Sequence, residues 1–119
     1  MIRTEIRIIL VLGFVLYRTA SFTQEISRIS ISGTVKDTVS EPIQSVTVML
    51  LHRADSTLVN FTTTNRNGEF KFNNIRNDDY LLKLSHVSLM PREIRIKPSD
   101  SPDVELGELI MYPISEILM

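Results

Sequence analysis

Beyond Gln24 the apolar residues of this 119-residue chain recur at every second position, and that period selects strands over helices. Ile29, Ile31, Gly33 and Val35 alternate with Ser30, Ser32, Thr34 and Lys36, as in a half-buried β-strand. Val46, Val48 and Leu50 make a second apolar face. Met49 and Leu51 make its reverse side apolar too, which predicts a central strand covered on both sides. Leu58 to Thr63 is rich in β-branched and aromatic residues and reads as a third strand. Phe70 and Phe72 mark a fourth, Tyr80, Leu82 and Leu84 a fifth, Ile94 and Ile96 after Pro91 a sixth, and Val104, Leu106 and Leu109 a seventh.

Turn chemistry separates these runs. Ser40, Glu41 and Pro42 follow the first strand, since proline lacks the donor a sheet interior requires. Arg53 to Ser56, Asn73 to Asp79 and Pro98 to Asp103 form further polar breaks. Asn67-Gly68 is the sharpest local signal, because both residue types tolerate the positive φ of a tight hairpin. Seven short strands at nearly regular spacing predict an all-β sandwich.

The first residues have a different character. Arg3 and Arg7 precede an unbroken run of ten apolar residues or glycine, Ile8 to Tyr17, closed by Arg18. A bilayer span takes about 20 apolar residues, so residues 1–23 read as a helical signal peptide with no membrane span left after its removal. Ala20, Ser21 and Thr23 are small enough to flank the cleavage site. Loss of three arginines and one glutamate with the leader takes the net charge from −1 to −3.

Thirteen basic and fourteen acidic residues are interspersed, with no basic run to neutralise phosphates, which argues against nucleic-acid binding. Absence of cysteine rules out disulfides, thiolate metal sites and a lipid-bearing cysteine. Only His52 and His86 could supply imidazole, and neither lies in a His-x-x-Glu or His-Glu-x-x-His spacing. His52 and Asp55 read as polar residues at a strand end and its bend, and His86 as a sheet-face residue in line with Tyr80, Leu82 and Leu84. Asp78 and Asp79 are adjacent turn formers, not a glycosidase pair facing one substrate. No Gly-x-Ser-x-Gly turn or glycine-rich phosphate loop occurs. No catalytic, cofactor-binding or metal-binding residue is therefore assigned, no cofactor is expected, and the chain reads as a non-enzyme. A small carbohydrate-binding sandwich is the alternative. It meets the difficulty that Trp is absent, Tyr17 leaves with the leader, Tyr80 falls in the core pattern and Tyr112 stands near the end.

Four blocks in order carry a family resemblance. Ile31-Ser-Gly-Thr-Val-Lys-Asp37 with Glu41-Pro-Ile43 and Val46-Thr-Val48 comes first, then Asp55-Ser-Thr-Leu-Val59 with Thr62-Thr-Thr-Asn-Arg-Asn-Gly-Glu-Phe-Lys-Phe72. Asp79-Tyr-Leu-Leu-Lys-Leu-Ser-His-Val87 and Leu106-Gly-Glu-Leu-Ile110 complete the set. Together, over about residues 29 to 111, they resemble carboxypeptidase-regulatory-like domains. Ser45 stands where that family usually has glycine, Asn65 replaces the usual aspartate, and Ser88-Leu89 replaces a common Gly-Tyr pair. The resemblance implies a seven-stranded antiparallel Greek-key sandwich of the prealbumin type. With the leader, it is similar to the N-terminal periplasmic domains of Bacteroidetes TonB-dependent receptors and outer-membrane β-barrel proteins, which implies an accessory role with a receptor, barrel or other envelope protein as partner. The expected organisation is a leader over 1–23, the sandwich over 24–111, and a tail or truncated linker over 112–119 with nothing of its own to pack on; the alternative is that this tail folds back as one more edge contact on the sandwich.

Overall fold

The computed structural model describes residues 25–117, so the expected leader helix lies outside the described residues. Seven strands form two sheets: β1 (Arg28–Lys36), β2 (Thr47–His52), β3 (Leu58–Thr63), β4 (Glu69–Arg76), β5 (Tyr80–His86), β6 (Leu89–Ile96) and β7 (Asp103–Ile110), followed by one helical turn, α1 (Ile114–Ile117). Sheet A has the order β4-β1-β7 and sheet B the order β3-β2-β5-β6, which makes a Greek-key sandwich.

Period-two alternation places the core between the sheets. Ile29, Ile31 and Val35 of β1, Phe70, Phe72 and Ile75 of β4, and Leu109 of β7 face Val48 and Leu50 of β2, Tyr80, Leu82 and Leu84 of β5, and Ile96 of β6. Full burial of side chains of this size contributes roughly 1.5–3 kcal/mol each. Tyr80 is only 1% exposed, and its hydroxyl donates to the Arg76 carbonyl at 2.6 Å, so its one polar atom is satisfied at the core margin.

Four of the five strand pairings among the described residues are antiparallel; β1–β7 is parallel. The one parallel pair within this otherwise antiparallel sandwich has a geometric reason. Seven strands alternating in direction leave the first and last pointing the same way, so their adjacency must be parallel. Two polar contacts join this pair: Ser30 Oγ donates to Asp103 Oδ1 at 2.8 Å, and Lys36 Nζ meets Glu108 Oε1 at 2.6 Å. The chain therefore enters sheet A at Arg28, at what we term the incoming pole, and leaves β7 at Ile110, at the outgoing pole.

Several local expectations change. Asn67-Gly68 does not join a paired hairpin: β3 lies in sheet B and β4 in sheet A, so the turn is a corner between sheets. The positive φ holds, at 73° for Gly68. The polar run from Asn73 is not all turn, because β4 continues to Arg76 past a bulge in which Asn74 takes φ 55° and Ile75 returns to the core. β6 begins at Leu89, before Pro91, which is tolerated at a bulge on an edge strand where no ladder donor is needed. Met49 and Leu51 are half-buried on the outer face of sheet B, shielded by side neighbours, and among the described residues no further layer covers them. The tail is not loose throughout. Met111 is buried, Met90 N–H donates to the Tyr112 carbonyl at 2.8 Å, and Ile114 N–H donates to the Ser88 carbonyl at 3.2 Å, which lays residues 111–114 along the start of β6.

Two positive-φ positions give opposite predictions. A Cβ at Gly68 would collide with the Val35 carbonyl oxygen, so Gly68→Val should lose about 1–3 kcal/mol of unfolding free energy in urea titration. Ser45 already has φ 66°, and Ser45→Gly should gain up to about 1 kcal/mol in the same assay. Unchanged midpoints for both would contradict this reading of the corner.

Candidate functional site

The outgoing pole is built from two side-by-side turns with one bonding scheme. Asp37 Oδ1 accepts from the N–H groups of Val39 and Glu41, both at 2.9 Å, and Asn65 Oδ1 accepts from those of Asn67 and Glu69, also at 2.9 Å. In each, the first residue's N–H donates to the fifth residue's carbonyl and the fourth N–H returns to the first carbonyl. The fourth residue has positive φ in both: Ser40 at 63° and Gly68 at 73°. A short carbonyl-bearing side chain is what nucleates such a turn, and only an acceptor oxygen is needed, so Asn65 serves where the resemblance has aspartate. The turns are stitched through β1: Val35 N–H donates to the Gly68 carbonyl at 2.7 Å, and Ile43 N–H donates to the Val35 carbonyl at 3.0 Å. Buried Thr64 completes the junction, its hydroxyl accepting from Val46 N–H and donating to the Ile43 carbonyl.

Beside this junction the outer face of sheet A holds an open trough of about 420 Å³, lined by Ser32, Thr34, Lys71, Glu69 and Glu105 among others. Its chemistry is that of hydroxyls and mixed charges. Phe70 lies beneath it with its ring turned into the core, so the trough offers no aromatic face.

The residues weighed in the sequence are dispersed. His52 ends β2 at the incoming pole, its ring 5.9 Å from that of Tyr80, whereas His86 ends β5 at the outgoing pole, where its Nδ1 accepts from Ser88 N–H at 3.1 Å. The two imidazoles cannot share a ligand. Asp55 Oδ1 accepts from the Thr57 hydroxyl and N–H, and those bonds hold its carboxyl below its ordinary pKa. Asp78 caps its own turn by accepting from Asp79 N–H, while Asp79 pairs with Arg95 at 3.0 Å, which lowers the Asp79 pKa and raises that of Arg95. Burial pushes the Tyr80 phenol above its ordinary pKa. Among the described residues no group of three His, Asp or Glu side chains could hold a metal ion. Tyr112 is exposed at the outgoing pole, away from Phe61 on β3, the only other exposed Phe or Tyr among the described residues.

The fold and these turns define a class: small Greek-key sandwiches whose structural signature is a corner rather than a cleft. The chain belongs to the carboxypeptidase regulatory-like domain family, whose model matches residues 30–107. Among curated proteins none matches it. Among solved structures, a type II cohesin–X–dockerin complex from Acetivibrio cellulolyticus is similar at TM-score 0.55 and 20% identity, over 71% of this chain and 58% of that one. A minor pilin of Streptococcus agalactiae is similar at TM-score 0.59 and 13% identity, over 74% and 45%. The 3-chlorocatechol 1,2-dioxygenase of Rhodococcus opacus is similar at TM-score 0.52 and 8% identity, over 79% and 62%. These likenesses concern the fold, and the chain spans less than two thirds of each.

The shared turn scheme predicts graded effects at Asn65. Asn65→Asp keeps the acceptor and should shift the thermal midpoint little, whereas Asn65→Ala frees two N–H groups and should cost about 1–2 kcal/mol. Equal midpoints for the alanine and aspartate variants would show that the side chain does not hold the corner.

Proposed function

We propose that this chain is a non-catalytic, exported interaction domain that stands as the N-terminal periplasmic module of an outer-membrane TonB-dependent receptor or β-barrel protein. The parallel β1–β7 pair carries the reading, because it sets the incoming and outgoing chain at opposite poles. A domain connected in this way spaces its neighbours in line, separated by a strand's length of roughly 25–30 Å for eight or nine residues. Membership of the regulatory-like family supports a binding or spacing role, and the basic start with its ten-residue apolar run supports export. The proposed organisation is a leader over 1–23, the sandwich over 24–111 and a connection over 112–119.

The carbohydrate-binding alternative has less support. Sugar platforms rely on exposed rings acting together, and here Phe61 and Tyr112 lie on separate parts of the molecule.

Expression in a Gram-negative host, with intact-mass measurement of the envelope fraction, tests the reading. The expected product has lost about the first 23 residues and cross-links to a barrel protein from its native locus. A cytoplasmic product that retains Met1 would contradict export, and an exported product in a locus without barrel sequence would leave a free-standing sandwich.

A further inference from the structure

A sandwich exposes four edge strands, here β4, β7, β3 and β6. An uncovered edge carries unpaired backbone groups and pairs with other chains unless charge, proline or a covering segment prevents it. Three edges have such protection. β4 carries Glu69, Lys71 and Arg76; β7 carries Asp103, Glu105 and Glu108; β6 carries Pro91, Arg92, Glu93 and Arg95, with Tyr112 and Pro113 laid over its start.

β3 has none. Its sequence, Leu58-Val-Asn-Phe-Thr-Thr63, lacks charge, proline and glycine, and it presents Leu58 and Phe61 at 54% and 63% exposure. The registers extend this apolar surface inward: Leu58, Leu51 and Leu81 form one row on the outer face of sheet B, and Phe61 and Met49 start the next. Thr64 N–H bonds to Val46 on the β2 side, so by alternation Asn60 and Thr62 bond inward while Phe61 and Thr63 direct their backbone groups outward. Of these outward groups the Phe61 N–H is occupied, by Asn60 Oδ1 at 2.8 Å.

The flanks indicate the occupant. Asp55 stands in the turn before β3 and Arg66 in the turn after it, both exposed, and neither forms an ion pair among the described residues. Arg53, in the same turn as Asp55, lies beside β5, where its N–H donates to the Asp79 carbonyl at 3.2 Å, so the charges next to β3 in the chain are Asp55 at one end and Arg66 at the other, complementary to an antiparallel copy. Pairing centred on Phe61 brings each Asp55 to the end of the strand where the other copy's Arg66 lies, while the uncharged middle sets no like charges together. We propose that two copies of this chain associate through antiparallel β3–β3 pairing, which joins the two B sheets into one of eight strands. The contact is isologous and therefore closes at a dimer. Two side chains fall short of the roughly 800 Å² per partner of a standard interface, so the edge hydrogen bonds are integral to it, and because Asn60 Oδ1 must release the Phe61 N–H for the central pair to form, the dimer is a weak one.

Sedimentation equilibrium of the full chain across micromolar to millimolar concentrations tests this. The parent is expected to show a monomer–dimer equilibrium. Asp55→Lys and Arg66→Glu should each weaken it about tenfold or more. An equimolar mixture of the two variants should restore it: between unlike copies, the introduced lysine of one faces the introduced glutamate of the other, and at the opposite end the retained Arg66 faces the retained Asp55. Thermal melts of each variant establish that it is folded. A monomeric parent at millimolar concentration, association unaffected by either reversal, or a mixture as weak as its components would each overturn the proposal; the second result would place any association elsewhere, for example at the apolar N-terminal segment.

Discussion

β1 is the constraint on which the rest of this structure depends. It is the middle strand of sheet A, bonded to β4 on one side and β7 on the other, and Ile29, Ile31 and Val35 reach the core from it. At its end Val35 uses its N–H to hold Gly68 and its carbonyl to hold Ile43. One residue thus joins the crossover that leaves sheet A to the crossover that returns to it. Backbone groups buried at such a corner must find partners, and the two Asx-nucleated turns supply them. The requirement for positive φ at Ser40, Ser45 and Gly68 follows from turning the chain between layers in so few residues.

Much of this is legible in the sequence, because alternation reports burial directly. The inward residues of β1 and β5, and Phe70 and Phe72 of β4, are those the period-two pattern names, whereas Ile75 escapes it behind the bulge; Tyr80 falls in the core as its alternation with Leu82 and Leu84 implies. Pairing is less legible. Asn67-Gly68 announces a positive-φ turn but is silent on whether the chain then pairs with β3 or crosses to the opposite sheet, since that choice is made by β1 and β4 over long range. Pro91 and the Asn73-Asn74 pair mislead for a related reason: residues that break a central strand are accommodated by bulges at an edge. The parallel β1–β7 pair follows from the number of strands and requires no special residue.

The candidate site follows the same division. Excluding paired histidines, carboxylate pairs and nucleophile motifs needs only residue counts and spacings, and the structure places His52 and His86 at opposite poles. The twin turn scheme is hidden because Asp37-Thr-Val-Ser-Glu41 and Asn65-Arg-Asn-Gly-Glu69 share only the closing glutamate and a side-chain carbonyl oxygen at the first position. The β3 edge leaves a signal that passes unnoticed without the sheet order: a strand with no charged residue in a chain where 23% of residues are charged. Its meaning appears only once β3 is placed at an edge. Sheet A, by contrast, exposes hydroxyls and charges, so one face of the sandwich is solvated and one edge of the other sheet is left open to a partner.

Native-state amide hydrogen exchange measures the role of β1 most directly. If the Val35 corner holds the two crossovers together, the amides of Val35 and Ile43 will exchange only through global unfolding, with the same denaturant dependence as Ile31 and Leu82 in the core. Exchange of Val35 and Ile43 at the rates of the exposed turns, while the core amides stay protected, would contradict the account and place the organising contact elsewhere.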